Sequence, residues 1–237
     1  MLRIVKELYG TKLGASDGEI GHVKNFYFDD QNWAVRYVVA DTGSWLPGRQ
    51  VLVSPHAIGH LDQAGNILRV NLTRKQIENS PSIESHKPVS QQYEEEYYRY
   101  YGWPCYWQGN GLWGLSGFPI PGLPADPHTG ETAVADGSKS HRPDVHLRSA
   151  QAIHGYHIRR SDEAIGQLSD FVIDRQNWAI RDLVIKTGLW LSGREVLIPT
   201  RKVDRISFEE SAVFVNVTMD AVEQSAAYLP STTGVET

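Results

Sequence analysis

The sequence predicts an all-β protein made of two small antiparallel units in tandem, with short helices and an aromatic helical insert between them. First, the chain of 237 residues matches itself without a gap when residues 9–81 are laid over residues 154–226. Second, each copy contains short runs rich in β-branched and aromatic residues, which turn residues separate at regular intervals. Because no long helix intervenes, the pattern is typical of a small barrel or sandwich.

Composition excludes several classes of protein. An apolar content of 41% and a charged content of 22% are typical of a folded chain rather than a disordered one. The net charge of −5 argues against a dedicated nucleic-acid binder. No run reaches the roughly 18 apolar residues of a membrane span, MLRIVKELYG has no secretory apolar stretch, and the single Cys105 excludes an internal disulfide. We therefore expect a soluble, cytoplasmic protein with no integral membrane segment.

Four strands are predicted in the first copy, in the order IGHVKNFYF, WAVRYVVA, RQVLVSP and NILRVNL. The glycine near the start of the first run suits a bend or bulge, and the polar DDQN segment makes the following turn. TGSWLPGR is a glycine-bracketed loop that leads into the third strand. The second copy repeats this order with IGQLSDFVI, DRQN, WAIRDLVI, TGLWLSGR and AVFVNV. We expect the strands to be six to nine residues long.

A short helix closes each copy in this prediction. Thr73 can cap TRKQIENS, with Gln76 completing a capping box and Pro81 ending the helix. Thr218 begins the matching segment TMDAVEQSAAY, where Asp220 suits the positive end of a helix.

Between the copies, QQYEEEYYRYYGW is predicted to form a helix with Ser90 as its N-cap and Gly102 at its end. Glu94 and Glu95 are expected opposite a tyrosine face that consists of Tyr93, Tyr97, Tyr100 and Tyr101. A helix this short needs a packing partner.

Three interpretations of the aromatic face stay open: filling between the barrels of one chain, a subunit interface, or an aromatic ligand pocket. The candidate interface residues are Tyr93, Tyr97, Tyr101, Trp103, Trp107 and Trp113. Residues 108–150 have the composition of a linker.

Several tryptophans and arginines recur in both copies: Trp33, Arg36, Trp45, Arg49, Trp178, Arg181, Trp190 and Arg194. In the structural interpretation, the tryptophans plug barrel ends while the arginines bind carbonyls or stack on rings. In the functional interpretation, they form a Trp-Arg docking surface. Repetition through a duplication favours the structural interpretation.

These repeated segments resemble the PRC-barrel family. The resemblance rests on residues 20–29, 35–43 and 51–55 and on their equivalents at 165–174, 180–188 and 196–199. It implies two barrels, at residues 1–81 and 151–229, with an insert at 82–150 and a tail at 230–237. The family includes the cytoplasmic domain of the reaction-centre H subunit and the C-terminal domain of RimM-type ribosome-maturation factors. Because the chain shows neither the transmembrane helix of the first nor the N-terminal barrel of the second, the resemblance implies fold and docking character alone.

Catalytic and metal chemistry find little support in the sequence. Asp29 and Asp30 could begin a cation site, but the second copy has Asp174 and Arg175 at these positions. The nine histidines lack metal-ligand spacing, Cys105 has no recognisable base beside it, and GNGLWG does not follow a strand. We expect no catalytic residue, metal or cofactor.

The sequence therefore predicts a non-enzymatic docking or assembly module that forms a homo-oligomer, such as a homodimer, and binds an unknown protein partner. One alternative is a small-molecule-binding protein or enzyme with its site in an aromatic cleft between the barrels, lined by Trp103, Trp107 and Trp113. The other is an electron-transport accessory like the H subunit.

Overall fold

Strands make up most of the regular structure in the computed structural model, which describes residues 2–61, 67–81, 89, 91–120, 147–161, 163–188 and 193–225. The predicted all-β class is confirmed. Ser90, Trp190, most of the predicted linker and the tail at 230–237 lie outside the described residues. None of the described helices is long and apolar enough to cross a membrane.

The strands are β1 (Leu2–Ile4), β2 (Lys12–Ala15), β3 (Gly18–Asp29), β4 (Ala34–Asp41), β5 (Gln50–Val53), β6 (Ile58–Leu61), β7 (Ile67–Val70), β8 (Leu147–Ser149), β9 (His157–Arg160), β10 (Glu163–Asp174), β11 (Ala179–Thr187), β12 (Glu195–Pro199), β13 (Val203–Ser207) and β14 (Ala212–Val215). The α-helices are α1 (Arg74–Glu78), α2 (Gln91–Tyr101), α3 (Ala150–Ile153) and α4 (Met219–Glu223). Short 3-10 helices cover Val5–Leu8, Pro55–Ala57 and Thr200–Lys202.

The chain divides into two units. The repeat-1 unit comprises Glu7–Ala150 and Gln176–Ala179. The repeat-2 unit comprises Met1–Lys6, Gln151–Arg175 and Ile180–Thr237. Each unit therefore contains a segment that is distant in sequence from the rest of it.

In the repeat-1 unit, β2, β3, β4 and β5 pair in sequence order, and every neighbouring pair is antiparallel. β6 and β7 form a further antiparallel pair, and β7 joins β2 in parallel. In the repeat-2 unit, β9 pairs with β10, β11 with β12 and β13 with β14, all antiparallel, and β14 joins β9 in parallel. One pair in each unit thus departs from the predicted antiparallel arrangement. A parallel pair needs a long connection, and the intervening strands provide it. Closure of either sheet into a barrel stays a prediction.

Both β3 and β10 run for 12 residues, longer than predicted, because a glycine lets each strand bend without ending. Gly21 has φ +125°, and a Cβ there would lie 1.9 Å from the carbonyl oxygen of Asp41. A Cβ at Gly166 would lie 2.3 Å from the carbonyl oxygen of Lys186. At both glycines the main chain of the neighbouring strand therefore comes too close for any side chain.

The predicted helix caps at Thr73 and Thr218 are confirmed. The Thr73 hydroxyl accepts a hydrogen bond from the backbone amide of Gln76, and Oε1 of Gln76 accepts one from the backbone amide of Thr73, which completes the capping box. Thr218 caps α4 with its side-chain oxygen alone, which accepts from the backbone amide of Ala221 at 3.2 Å. Helix α2 ends just before Gly102, whose φ is +68°.

Strands β1 and β8 pair far from their sequence neighbours. In the repeat-2 unit β1 runs antiparallel to the end of β10, with Leu2 opposite Asp174 and Ile4 opposite Val172. In the repeat-1 unit β8 pairs with residues 27–29 of β3 in the equivalent register. Strand β1 precedes the first repeat in sequence but pairs within the repeat-2 unit. Strand β8 precedes the second repeat but pairs within the repeat-1 unit.

Candidate interaction site

Helix α2 packs on β4 and β5 of the repeat-1 unit. Tyr97 is fully buried, and its hydroxyl donates to the Leu52 carbonyl at 2.9 Å and accepts from the Ser54 amide at 3.1 Å. Its ring meets the Tyr37 ring edge to face, with centroids 5.5 Å apart. Burial raises the pKa of Tyr97 well above its usual value, so the phenol stays protonated. These bonds fix the helix to the end of β5.

A carboxyl group lies inside this packing. Glu94 is fully buried, and its Oε1 accepts from the hydroxyls of Tyr37 at 2.7 Å and Tyr106 at 3.0 Å. The predicted position of Glu94 opposite the tyrosine face is therefore wrong. Tyr98 is fully buried, whereas Tyr100 is 42% exposed, so the buried face is rotated from the predicted one and includes Glu94. The two phenol donors offset part of the desolvation of the carboxyl group.

A buried ion pair lies beside this carboxyl group. Arg36 is fully buried and donates to Asp29 at 2.8 Å and to the Leu112 carbonyl at 2.6 Å. Its guanidinium carbon lies 4.0 Å from the ring centroid of Tyr106 and 4.9 Å from that of Trp113. The insert thus surrounds the cation with two rings and a carbonyl, contacts that favour a guanidinium.

Hydrogen bonds keep Asp29 ionised in this interior. Burial alone would raise the pKa of Asp29, but bonds from Arg36 and Asn32 outweigh that effect and lower the pKa below its usual value. The backbone amide of Gln31 also donates to Asp29, at 2.8 Å. The carboxylate therefore closes the turn after β3 while it pairs with the arginine, and turn chemistry accounts for it without a cation.

His56 is packed among rings rather than exposed to a ligand. Its ring stacks on Trp103 with centroids 5.4 Å apart and meets Trp113 edge on at 5.0 Å. The Nδ1 atom lies 3.0 Å from the Ser54 hydroxyl. Burial, and next the charge of Arg36, lowers the pKa of His56 to about 4, so the ring is neutral at pH 7.

The glycine-rich part of the insert is anchored at its tryptophan. Trp113 is 1% exposed, and its Nε1 donates to the Asn177 carbonyl at 2.8 Å. Backbone bridges join Gly111 to Gly114 and Trp113 to Ser116. Gly114 has φ +74°, and a Cβ there would lie 2.7 Å from the Cys105 carbonyl, so the tight turn requires glycine.

Immediately after this anchored turn, the chain exposes large apolar side chains. Leu115 is 91% exposed, Phe118 is 56% exposed and Ile120 is 49% exposed. We call these three residues the apolar tip. It contrasts with Trp113, two residues before Leu115, which is buried. The three residues are close in sequence and follow a turn that is held in place, and exposed apolar side chains of this kind are candidates for an interaction surface.

The repeated TGxWLxGR loop is a structural corner in both units. Arg49 donates to the carbonyls of Glu78 at 2.5 Å and Ser80 at 2.6 Å, at the end of α1. Arg194 donates to the equivalent carbonyl of Glu223, at the end of α4. These bonds satisfy carbonyl groups that a helix C-terminus leaves free, as the structural interpretation expects. Trp45 receives the Arg74 guanidinium 4.7 Å above its ring, and Trp190 lies outside the described residues.

Trp33 and Trp178 occupy the turns before β4 and β11 with a left-handed backbone, φ +51° and +58°. Such a conformation is uncommon for a bulky residue. Trp33 stacks on Phe28 at 5.7 Å, and Trp178 is only 4% exposed. Packing of these rings therefore holds the turns in place.

The second repeat has an ion pair equivalent to that of Arg36 and Asp29, but its arginine is exposed to solvent. Arg181 reaches Asp174 at 3.3 Å, but its side chain is 51% exposed. The position of Tyr37 is taken there by Asp182, and that of His56 by Arg201. Arg36 binds a carbonyl and stacks on rings, as the structural interpretation expects, whereas the half-exposed Arg181 pairs with Asp174 at the surface.

The replacement of Tyr37 and His56 by Asp182 and Arg201 in the second copy is a sequence signal that could have located the buried site. Sequence reasoning overlooked a group of residues that the insert packs against or contributes: Tyr37, His56, Glu94, Tyr98 and Tyr106. An aromatic residue in one copy that is aligned with a charged residue in the other indicates that only the first is covered.

The candidate interface residues all belong to this cluster or its border. Tyr97, Trp103 and Trp113 are buried within the repeat-1 unit. Tyr93, Tyr101 and Trp107 are half-buried. Their part in a subunit interface stays a prediction, and any such interface would have to use the half-buried residues Tyr93, Tyr101 and Trp107.

Cys105 is half-buried, and burial, assisted by Glu95, raises the pKa of its thiol to about 11. It is therefore protonated at neutral pH and a poor nucleophile. Within the described ranges, no three His, Cys, Asp or Glu side chains are grouped so that they could hold a metal ion.

Part of the chain matches a known protein family. Residues 153–222 match the family model of the PRC-barrel domain, and this range runs from the end of α3 to the end of α4. A search of curated proteins finds no significant match to the chain.

Proposed function

We propose that this chain, which carries a PRC-barrel domain at residues 153–222, is a non-enzymatic cytoplasmic module that docks or assembles proteins. The proposal includes a second PRC-barrel in the first repeat, which the family model does not cover. The lone cysteine is in keeping with a reducing compartment.

Equivalent contacts in the two units support the second barrel. In both, the first and last strands of the repeat pair in parallel, and an arginine of the TGxWLxGR loop binds the end of the closing helix. These contacts link parts of the chain that are distant in sequence, so they reflect tertiary structure rather than local composition.

The observation that carries the docking function is the apolar tip. Its most exposed member, Leu115, has 91% of its surface accessible, although the adjoining turn is fixed by Trp113 and by two backbone bridges. A fixed support lowers the entropic cost of ordering a docking loop when it binds. We therefore assign partner binding to the tip rather than to the buried tyrosines.

The buried ionisable groups support a non-enzymatic role because they bind one another. Arg36 is paired with Asp29, and Glu94 accepts from two phenols. A general acid or base has to reach a substrate. Trp103 and Trp113, which would line the cleft in the ligand-binding alternative, are 8% and 1% exposed, so a ligand would first have to displace packed rings.

The test compares tip and control variants of the full chain. The double variant L115S/F118S should retain the wild-type melting temperature but lose the protein that the wild-type chain captures in stoichiometric amounts from its native lysate. Phe208, 45% exposed in the repeat-2 unit, provides the matched control, and F208S should still capture that protein. Equal capture by all three proteins would contradict the assignment to the tip. A stoichiometric small molecule in the native mass of the wild type would favour the ligand-binding alternative.

A further inference from the structure

We propose that Tyr106 is a redox-active tyrosine, from which an external one-electron oxidant draws an electron while Glu94 accepts the phenolic proton. The site lies within the repeat-1 unit, inside the aromatic packing of the insert. The oxidant comes from outside the chain and belongs to the class of small radicals. The inference goes beyond the docking function and does not rest on it.

A phenol gives up an electron readily only when a base can take its proton, and Glu94 is such a base. Its Oε1 accepts hydrogen bonds from the hydroxyls of Tyr37 at 2.7 Å and Tyr106 at 3.0 Å. Both distances lie within the range of about 2.6–3.2 Å over which a base takes a proton directly. Two hydroxyl donors on one oxygen are the bonding expected of an ionised carboxylate, which accepts and does not donate.

A neighbouring tyrosine has a much weaker proton acceptor. Tyr97 is fully buried in the same aromatic packing, but its hydroxyl donates to the main-chain carbonyl of Leu52 at 2.9 Å. An amide carbonyl is a far weaker base than a carboxylate. The bond to Glu94 therefore distinguishes Tyr106 from Tyr97, although burial of the two rings is similar.

Neighbouring rings connect Tyr106 to the surface. Trp107 is half-buried, and its ring centroid lies 4.8 Å from that of Tyr106. An electron can pass between rings at this distance, so the oxidant itself does not have to enter the interior. The other phenol on Glu94 belongs to Tyr37, whose ring contacts Tyr97 and Tyr98, both fully buried. Tyr106 is therefore the phenol with a partly accessible ring beside it.

The arginine over Tyr106 determines the form in which the ring is oxidised. The guanidinium carbon of Arg36 lies 4.0 Å from the ring centroid. A cation in this position is attracted to the electrons of the ring face and opposes a positive charge in the ring. Loss of the electron together with the proton leaves the ring neutral. Arg36 therefore favours a neutral tyrosyl radical over a radical cation.

The electrons and the proton balance in this step. The oxidant takes one electron from the indole of Trp107, which becomes a radical cation. Tyr106 returns that electron to the indole, its O–H bond breaks, and the proton forms a new O–H bond on Oε1 of Glu94. The oxidant has then gained one electron, Tyr106 is a neutral tyrosyl radical, and Glu94 is a neutral carboxylic acid.

The test follows radical transfer by pulse radiolysis with the azide radical, a one-electron oxidant of tryptophan. Every full-length chain carries C105S, so that no thiol competes. The tryptophanyl absorption should decay as the tyrosyl absorption grows, at a rate that does not depend on protein concentration. Y106F should lose most of this growth, whereas Y97F, in the same cluster, should keep it. Equal growth in the two variants would overturn the proposal.

Two further substitutions test the route of the electron and the acceptor of the proton. W107F should slow the tyrosyl growth severalfold, whereas W45F should not, because Trp45 is a half-buried ring that packs on Arg74 elsewhere in the unit. E94Q keeps the shape of the side chain but removes the carboxylate, so it should also slow the growth severalfold. An unchanged rate in W107F or in E94Q would refute the proposal.

A measurement in heavy water needs no substitution at Glu94 and is informative even if E94Q does not fold. When the phenolic proton moves with the electron, its exchange for deuterium should lower the rate of tyrosyl growth. An equal rate in ordinary and in heavy water would show that the proton of Tyr106 does not move in this step, and the proposal would be wrong. None of these outcomes affects the test of protein capture by the apolar tip.

Discussion

Replacing Arg36 by methionine tests how much the buried ion pair of Arg36 and Asp29 contributes to the stability of the protein. The side chain is fully buried, and its loss would leave the Asp29 carboxylate in the interior with only the bonds from its own turn. Breaking a buried pair on one side costs about 3–5 kcal/mol. Because Asn32 and Gln31 still donate to Asp29, we expect the lower end, about 3 kcal/mol of unfolding free energy.

The matched control is Arg181→Met in the second repeat. Its side chain is 51% exposed, so the pair with Asp174 should contribute less than about 1 kcal/mol. Urea unfolding should be followed by tryptophan fluorescence, since Trp113 lies beside the Arg36 guanidinium. Adding D29N to R36M should restore part of the loss, because no charge is then left buried. A cost for R36M no larger than that for R181M would refute the reasoning.

Three further predictions concern single side chains. Tyr97→Phe should lower the free energy of unfolding in urea by about 1–3 kcal/mol, because the Leu52 carbonyl and the Ser54 amide lose the hydroxyl that they bind. The control is Tyr100→Phe at an exposed site, and an equally small loss for both variants would contradict the prediction. Burial raises the pKa of Asp170 to about 6, so its contribution to stability is complete below pH 4 and is lost as pH rises through 6. Asp170→Asn should abolish a decline of about 2 kcal/mol between pH 4 and 7, and thermal melts that keep the decline would count against it. Gly21→Ala should destabilise by more than about 3 kcal/mol, whereas Gly10→Ala, which meets nothing within 4 Å, should cost only about 1 kcal/mol. Equal melting temperatures would show that the close approach at β3 is absent.

Local features of this protein could be predicted from the sequence because their causes lie within a few residues. The spacing of Thr73 and Gln76 determines the capping box, and Thr218 caps its helix through its side chain alone. The glycine near the start of each long strand predicted a bend, since few other residues allow it. The all-β class followed from the same kind of short-range pattern.

The position of Glu94 could not be predicted in this way. Helical spacing placed Glu94 opposite the tyrosine face, and its charge favoured the solvent side. The phenols of Tyr37 and Tyr106 decide otherwise, because they supply donors in the interior. These residues come together only when the insert folds back on β4, a contact that spacing along the chain does not encode.

By itself, the sequence determined two similar units, their strands and helix ends, and an aromatic segment that needs a packing partner. Tertiary structure alone decided which strand completes which unit. Strands β1 and β8 have nearly the same sequence, LRI and LRS, and dock in equivalent registers. Local propensity cannot distinguish two such segments. The choice therefore depends on long-range contacts, Arg148 with Asp30 at one edge and the Lys6 amide with Asp170 at the other.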